Sequence, residues 1–261
     1  MLGAIIGDIA GSRFEFNPTN DYNFELLSKQ CAYTDDTICT VAVADAILNG
    51  EDYGSTIHRW CRKYPNPKGS YGGSFQRWVA SDNLTPYGSF GNGAAMRVSP
   101  VAWAFTDRET VLENAKSTAE CTHNHPEGIK GAQTTALAIF LALETRRNGM
   151  TLDVEAIIDE CIKFSGYNHD IRESAVRNKF DETCQGTVPV ALWIIRQSTS
   201  FEDAIRRAVS LGADADTLGA IVGSMAEAIW GIPQKIADRS MVYLPTDMKN
   251  VIDCFTKRYN I

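Results

Sequence analysis

Residues 212–223, Gly212-Ala213-Asp214-Ala215-Asp216-Thr217-Leu218-Gly219-Ala220-Ile221-Val222-Gly223, place two carboxylates and a hydroxyl within four positions and then turn to small and apolar side chains. Gly219 and Gly223 lie four apart, and Leu218, Ile221, Val222 and Met225 keep helical spacing, so the stretch reads as a helix with its acids at the N-terminus. A helix surfaced with Gly, Ala and Ser can approach its neighbours closely, and this one is expected to lie deep. One of Asp214 and Asp216 is accounted for as an N-cap that accepts bonds from unpaired amides and complements the helix dipole. The other needs a cation or a partner, because unpaired charge is costly to bury.

The same chemistry occurs about 180 residues earlier, in Tyr33-Thr34-Asp35-Asp36-Thr37, again opening an apolar helix through Ile38, Val41, Ala42, Ala44, Ala46 and Leu48. Two acid-and-threonine clusters at helix starts suggest one shared site. Oxygen donors of this kind suit hard divalent cations, Mg²⁺ or Mn²⁺, better than zinc. Asp35, Asp36, Asp214 and Asp216 carry four negative charges between them, which one divalent ion half compensates and two neutralise, so a dinuclear centre is expected.

Because the candidate ligands come from both ends of the chain, its 261 residues, 44% of them hydrophobic, are read as one domain, 1–261. No apolar run reaches the roughly 18 residues of a membrane span and no basic leader opens the chain, so a cytoplasmic protein with no membrane partner is expected. Seven scattered cysteines fit reduced thiols better than a disulfide framework. A net charge of −7 argues against non-specific nucleic-acid binding. A phosphate ligand would then have to be neutralised largely by metal ions and backbone amides.

Residues 2–16 are read as a helix with Gly3, Gly7 and Gly11 on one face and Glu15 at its end beside Phe14 and Phe16, where apolar surroundings could raise the carboxyl pKa. Asp8 interrupts its apolar face, either bonded to a neighbouring helix end or supporting a metal site from behind. Residues 17–33 read as a loop, and 53–62 as a short helix. The breakers between Pro65 and Gly73 mark a loop whose Gly69, Gly72 and Gly73 could offer amides to phosphate. Gly88-Ser89-Phe90-Gly91-Asn92-Gly93 leads into a small-residue helix at a junction that can hold a diphosphate, with Arg97 available to add charge. Cys121-Thr122-His123-Asn124-His125 offers zinc-type donors but no fourth ligand at suitable spacing, which leaves His123 to face a base or ribose or to cap the helix that follows to Arg147. Residues 153–164, 170–178, 188–197 and 201–211 read as further helices, Met241 to Ile261 as a loop and helix, and His58 and His169 as packing or surface. No alternating strand is found.

In order and spacing, Gly7-Asp8 with Gly11 and Glu15-Phe16, Thr34-Asp35-Asp36-Thr37, Tyr71-Gly72, Gly91 to Arg97, Thr122-His123 and Gly212 to Gly223 resemble the ADP-ribosylglycohydrolases, a family that includes the dinitrogenase-reductase-activating glycohydrolases and the ADP-ribosyl-acceptor hydrolases. The resemblance implies an all-α single-domain fold and a hydrolase that cleaves the bond at ribose C1″ of an ADP-ribosylated protein or an ADP-ribose-containing small molecule. It implies two divalent cations, Mg²⁺ or Mn²⁺, held by Thr34, Asp35, Asp36, Asp214, Asp216 and Thr217. Substrate would be bound by Gly72, Gly88, Ser89, Phe90, Gly91, Asn92, Gly93 and His123, and Glu15 and Asp35 would manage the proton. Phe90 stands where some members have tyrosine, and Tyr71 to Tyr87 diverges, leaving the acceptor unassigned. The alternative is a non-catalytic ADP-ribose-binding or structural member. Isoprenoid synthases share Asp-Asp motifs on helices, but Thr37-Ile38-Cys39 lacks their further acid.

Overall fold

A computed structural model describes residues 1–168 and 170–261; the expectation for His169 lies outside the described residues. The helices in chain order are α1 (Leu2–Gly11), α2 (Asp35–Asn49), α3 (Tyr53–Lys63), α4 (Gly73–Ala80), α5 (Gly93–Met96), α6 (Ser99–Ala104), α7 (Arg108–Glu120) and α8 (Pro126–Arg147). They continue with α9 (Val154–Ser165), α10 (Glu173–Val176), α11 (Cys184–Gln197), α12 (Phe201–Ser210), α13 (Ala215–Trp230), α14 (Gln234–Ser240) and α15 (Thr246–Tyr259), with one 3₁₀ turn at Met241–Tyr243. The fold is all-α. Among the described residues the only β pairing is two isolated bridges, Thr34 with Lys68 and Gly91 with Thr183, and no described helix is long and apolar enough to cross a membrane.

The centre of the fold is α1 against α13. Ten residues make a helix too short to persist alone in water, so α1 depends on its packing. Ile5, Ile6 and Ile9 are wholly buried, each contributing roughly 1.5–3 kcal/mol. On the face towards α13, Gly3 meets Gly223, Gly7 meets Gly219 and Gly11 meets Ala215, which makes the pair antiparallel. A Cβ built on Gly219 would lie 2.6 Å from the Gly7 carbonyl oxygen, so the backbones approach as closely as glycine permits. At the far end of the pair Glu227 accepts a bond from the Gly3 amide at 2.9 Å and pairs with the Met1 amino group. This register brings the end of α1 to the start of α13, and Asp8 to Asp216.

Two helical expectations fall short. α1 stops at Gly11, and Glu15 lies in a bend beyond it. There the Ser12 hydroxyl turns back to donate to the Ile9 carbonyl at 2.9 Å and accepts from the Ala32 amide at 3.1 Å, competing with further helical turns. Within 170–178 only Glu173–Val176 is helical, because the segment has no buried face to hold a longer helix. Helices α4, α7 and α14 are additions to the sequence reading.

Candidate active site

The start of α2 is built around Asp8. Thr34 caps α2, its side chain accepting from the Asp36 amide at 3.2 Å. The Asp8 carboxylate accepts the Thr34 amide at 3.0 Å, the Thr34 hydroxyl at 2.8 Å, the Thr37 amide at 3.1 Å and the Thr37 hydroxyl. Asp8 is thus the acid bonded to a neighbouring helix end, but it does more: Asp8, Asp36 and Asp216 each offer a carboxylate oxygen within 4.8 Å of the others. Asp36 also accepts from the Thr217 hydroxyl at 3.2 Å, while its other oxygen is buried with no partner. Asp214 accepts from the Asn92 side-chain amide at 2.7 Å.

Burial is the first cause that drives these carboxyls towards their protonated forms. Asp8 and Asp214 rise to about 6, each held back by the hydrogen bonds it accepts. Asp35, Asp36 and Asp216 lie well above the ordinary carboxylate range, pushed further by the neighbouring acids. Glu15 rises to about 7, first by burial and then by the Asp214 charge, against a hydrogen bond with Asp216. Gly69, in the left-handed region at φ 81°, lets its loop pass behind Glu15, where a Cβ would stand 3.2 Å from Oε1. Six neighbouring acids that all resist ionisation, Asp8, Glu15, Asp35, Asp36, Asp214 and Asp216, form an all-oxygen donor set. A hard divalent ion fits it.

All of these acids but Asp8 line a cleft of about 490 Å³, within the range of small-molecule sites. Glu15, Asp35, Asp36, Asp214, Asp216 and Thr217 line it, as do Gly72 and the whole run from Gly88 to Gly93, and His123. Thr34 is wholly buried, its hydroxyl 2.8 Å from Asp8 and 3.2 Å from Asp36, within the acid cluster beneath the cleft. The 88–93 loop is fixed from two sides: the Gly88 amide donates to the Asn124 side chain at 2.7 Å, and the Asn92 amide to the Glu182 carbonyl at 2.6 Å. Phe90 is 44% exposed, its ring edge-on to His125 with centroids 5.3 Å apart.

The Arg97 side chain is fully buried at the wall of the cleft, donating to the Thr118 carbonyl at 2.7 Å and the Thr122 hydroxyl at 2.8 Å, while its Nη1 is buried with no partner. His123 lines the cleft and His125 caps α8, accepting from the Glu127 amide at 3.1 Å; the two histidines take separate tasks. The sequence reading missed Phe180, Glu182 and Thr183 as cleft residues. They sit on an irregular segment with no periodic signal, placed by its bonds to the 88–93 loop, by the Phe16–Phe180 ring contact and by the Thr187 hydroxyl on the Asp181 carbonyl. Asp8 did carry a signal, as an acid within an apolar face.

A family model described as ADP-ribosylglycohydrolase matches residues 1–258. Among curated proteins the chain is 25% identical to ADP-ribosylhydrolase ARH3 of Homo sapiens, with 90% of this chain and 85% of that protein covered. It is 26% identical to ADP-ribosylarginine hydrolase Tri1 of Pseudomonas putida, covering 89% of this chain and 70% of that one. To the ADP-ribosyl-[dinitrogen reductase] glycohydrolase of Rhodospirillum rubrum it is also 26% identical, covering 89% and 84%. A solved chain described as an "ADP-ribosylglycohydrolase-related protein complex" shares the fold with a TM-score of 0.72 at 22% identity, over 98% of this chain and 96% of that one.

Proposed function

The chain belongs to the ADP-ribosylglycohydrolase family, and from that premise we propose that it is an enzyme that cleaves the glycosidic bond at ribose C1″ of an ADP-ribosylated substrate and releases ADP-ribose. The observation that carries this reading is the buried acid cluster at the floor of a glycine-lined cleft. Asp8, Asp36 and Asp216, with Thr34, Asp35, Asp214 and Thr217, would hold divalent cations. The chemistry such cations supply when bound is to neutralise these acids, orient sugar hydroxyls and acidify a water.

The rest falls to the chain. The amides of the 88–93 loop and the buried Arg97 guanidinium at the cleft wall are the groups available for a diphosphate, since among the described residues no lysine lines the cleft. Exposed Phe90 offers a face for the adenine ring. Cleavage at C1″ develops oxocarbenium character, so a group near the scissile bond must give a proton to the leaving oxygen or take one from water. Glu15, whose carboxyl burial raises to about 7 with no cation bound, is the group beside the acid cluster for either task. Removing that proton traffic with Glu15→Gln should lower kcat about 100- to 10,000-fold while leaving ADP-ribose affinity near that of wild type. Single-turnover rates with binding by calorimetry check it; a kcat within threefold of wild type would exclude Glu15.

The acceptor is decided by measuring ADP-ribose release from serine-linked peptide, arginine-linked peptide and O-acetyl-ADP-ribose, each with Mg²⁺, Mn²⁺ or chelator. Release from one substrate, stopped by chelator, is expected and names the acceptor class. ADP-ribose that raises the melting temperature without release from any substrate would favour the non-catalytic binding member instead.

A further inference from the structure

Among the described residues Arg97 is the largest fully buried side chain, and none of its hydrogen bonds is to a carboxylate. It stands at the cleft wall, behind His123. One guanidinium nitrogen donates to the Thr122 hydroxyl at 2.8 Å, and that hydroxyl lies 2.7 Å from His123 Nδ1. We propose that Arg97 and Thr122 are positioning residues that hold His123 as a neutral imidazole with its proton on Nε2, a fixed donor aimed at an anionic oxygen seated between Gly91 and Gly93. The ligand half of this proposal rests on the function argued above.

The proton assignment follows from counting hydrogens. Arginine only donates, so the Thr122 oxygen accepts from Arg97 and retains a single hydrogen to give. Thr122 is wholly buried, which keeps water from that hydrogen, and its alternative acceptor is Cys121 Sγ at 4.0 Å. The hydroxyl therefore donates to Nδ1, and the imidazole proton resides on Nε2. A second proton on the ring would leave the Thr122 hydrogen without an acceptor and place a cation beside the guanidinium in a buried setting. Burial first, and Arg97 second, hold His123 well below the ordinary histidine range. The other titratable neighbours are uncharged near neutrality: burial pushes the Cys121 thiol up, and the Tyr87 phenol, its ring 6.2 Å from the imidazole, up to about 12. At the other edge of the ring, a Cβ built on Gly93 would lie 3.0 Å from Nε2 and one on Gly91 3.4 Å, so glycine at both positions leaves space for a ligand atom in front of the donor.

The test is the protonation pattern of His123 in the full-length protein without ligand, from long-range ¹H–¹⁵N correlations between about pH 5 and 8, the range in which an ordinary histidine titrates. Four histidines make assignment by His123→Asn direct. The expected result is an Nε2–H tautomer that does not titrate. In Thr122→Val the ring should titrate or populate Nδ1–H, and ADP-ribose affinity should fall about 10- to 100-fold, the scale of a hydrogen bond to a charged group. Thr122→Ser should restore both. A charged or Nδ1-protonated ring in the wild-type protein overturns the proposal, as does an unchanged tautomer in a folded Thr122→Val. An Nε2–H tautomer in wild-type protein that binds no ADP-ribose would support the relay and overturn the function proposed for the cleft.

Discussion

Asp216→Ala should abolish divalent-dependent release of ADP-ribose and, at the same time, make the metal-free protein no less stable than wild type. The two outcomes have one cause. Asp216 lies within 4.8 Å, oxygen to oxygen, of Asp8 and Asp36, and every acid around it resists ionisation. Removing it takes a donor from the cation site and a repelling charge from the cluster. Loss of activity should exceed the roughly 10- to 100-fold typical of removing a supporting partner at a metal site. Differential scanning fluorimetry supplies the second readout: Mg²⁺ or Mn²⁺ should raise the wild-type melting temperature by mass action and leave the variant unmoved. Full metal-dependent turnover by Asp216→Ala would sink the assignment.

The chelated wild-type protein should also lose stability as pH rises. Asp8 and Asp214 titrate near 6 in the folded state and Glu15 near 7, all above their unfolded values, so the folded protein binds more protons than the unfolded one. The stability these groups confer is complete below their unfolded pKa values, near 4, and is lost as pH passes 6 to 7. Saturating divalent cation should flatten that slope.

Gly7→Ala tests the fold where it has least room. A Cβ on Gly7 would overlap the Gly219 carbonyl, which is backbone and cannot rotate aside. Overpacking a core usually costs about 1–3 kcal/mol; with a backbone obstruction at the centre of α1 and α13 the expectation is the top of that range or beyond. For a domain of this size about 3 kcal/mol corresponds to a fall of roughly 6–12 °C in melting temperature. Gly50→Ala is the control: it meets nothing within 4 Å, so it reports only the strain of a left-handed residue at φ 65°. A Gly7→Ala protein that melts with Gly50→Ala or above it would mean that the helices separate more easily than their contact implies.

The helices that were legible in the sequence are those whose apolar period is long, such as α2, α8 and α13. The close face of α1 was legible too, since Gly3, Gly7 and Gly11 recur at four. What was not legible is held by partners distant in sequence. Glu15 leaves the helix because Ser12 bonds to Ile9 and Ala32, and no periodicity records a side chain reaching 20 residues ahead. Arg97 follows a glycine-rich loop and lines the cleft, but the bonds to Thr118 and Thr122 that set its direction leave no mark in the sequence. Glu182 enters the cleft because its carbonyl accepts the Asn92 amide. The acid pairs were visible as pairs, while the grouping of Asp36 and Asp216 with Asp8 depends on the register of α1 against α13.

That register also sets an order of events at the ribosome. Gly11 packs on Ala215, so α1 must be made some 200 residues before its partner. At ordinary elongation rates of about 5–20 residues per second this is a wait of roughly 10 to 40 s. Throughout it the glycine face of α1 has no α13 to pack against and the acids of α2 have no Asp216 beside them. Until Asp216 emerges the nascent chain carries only half of the cation site, and the two acid clusters can meet only after the roughly 180 residues between them have been made.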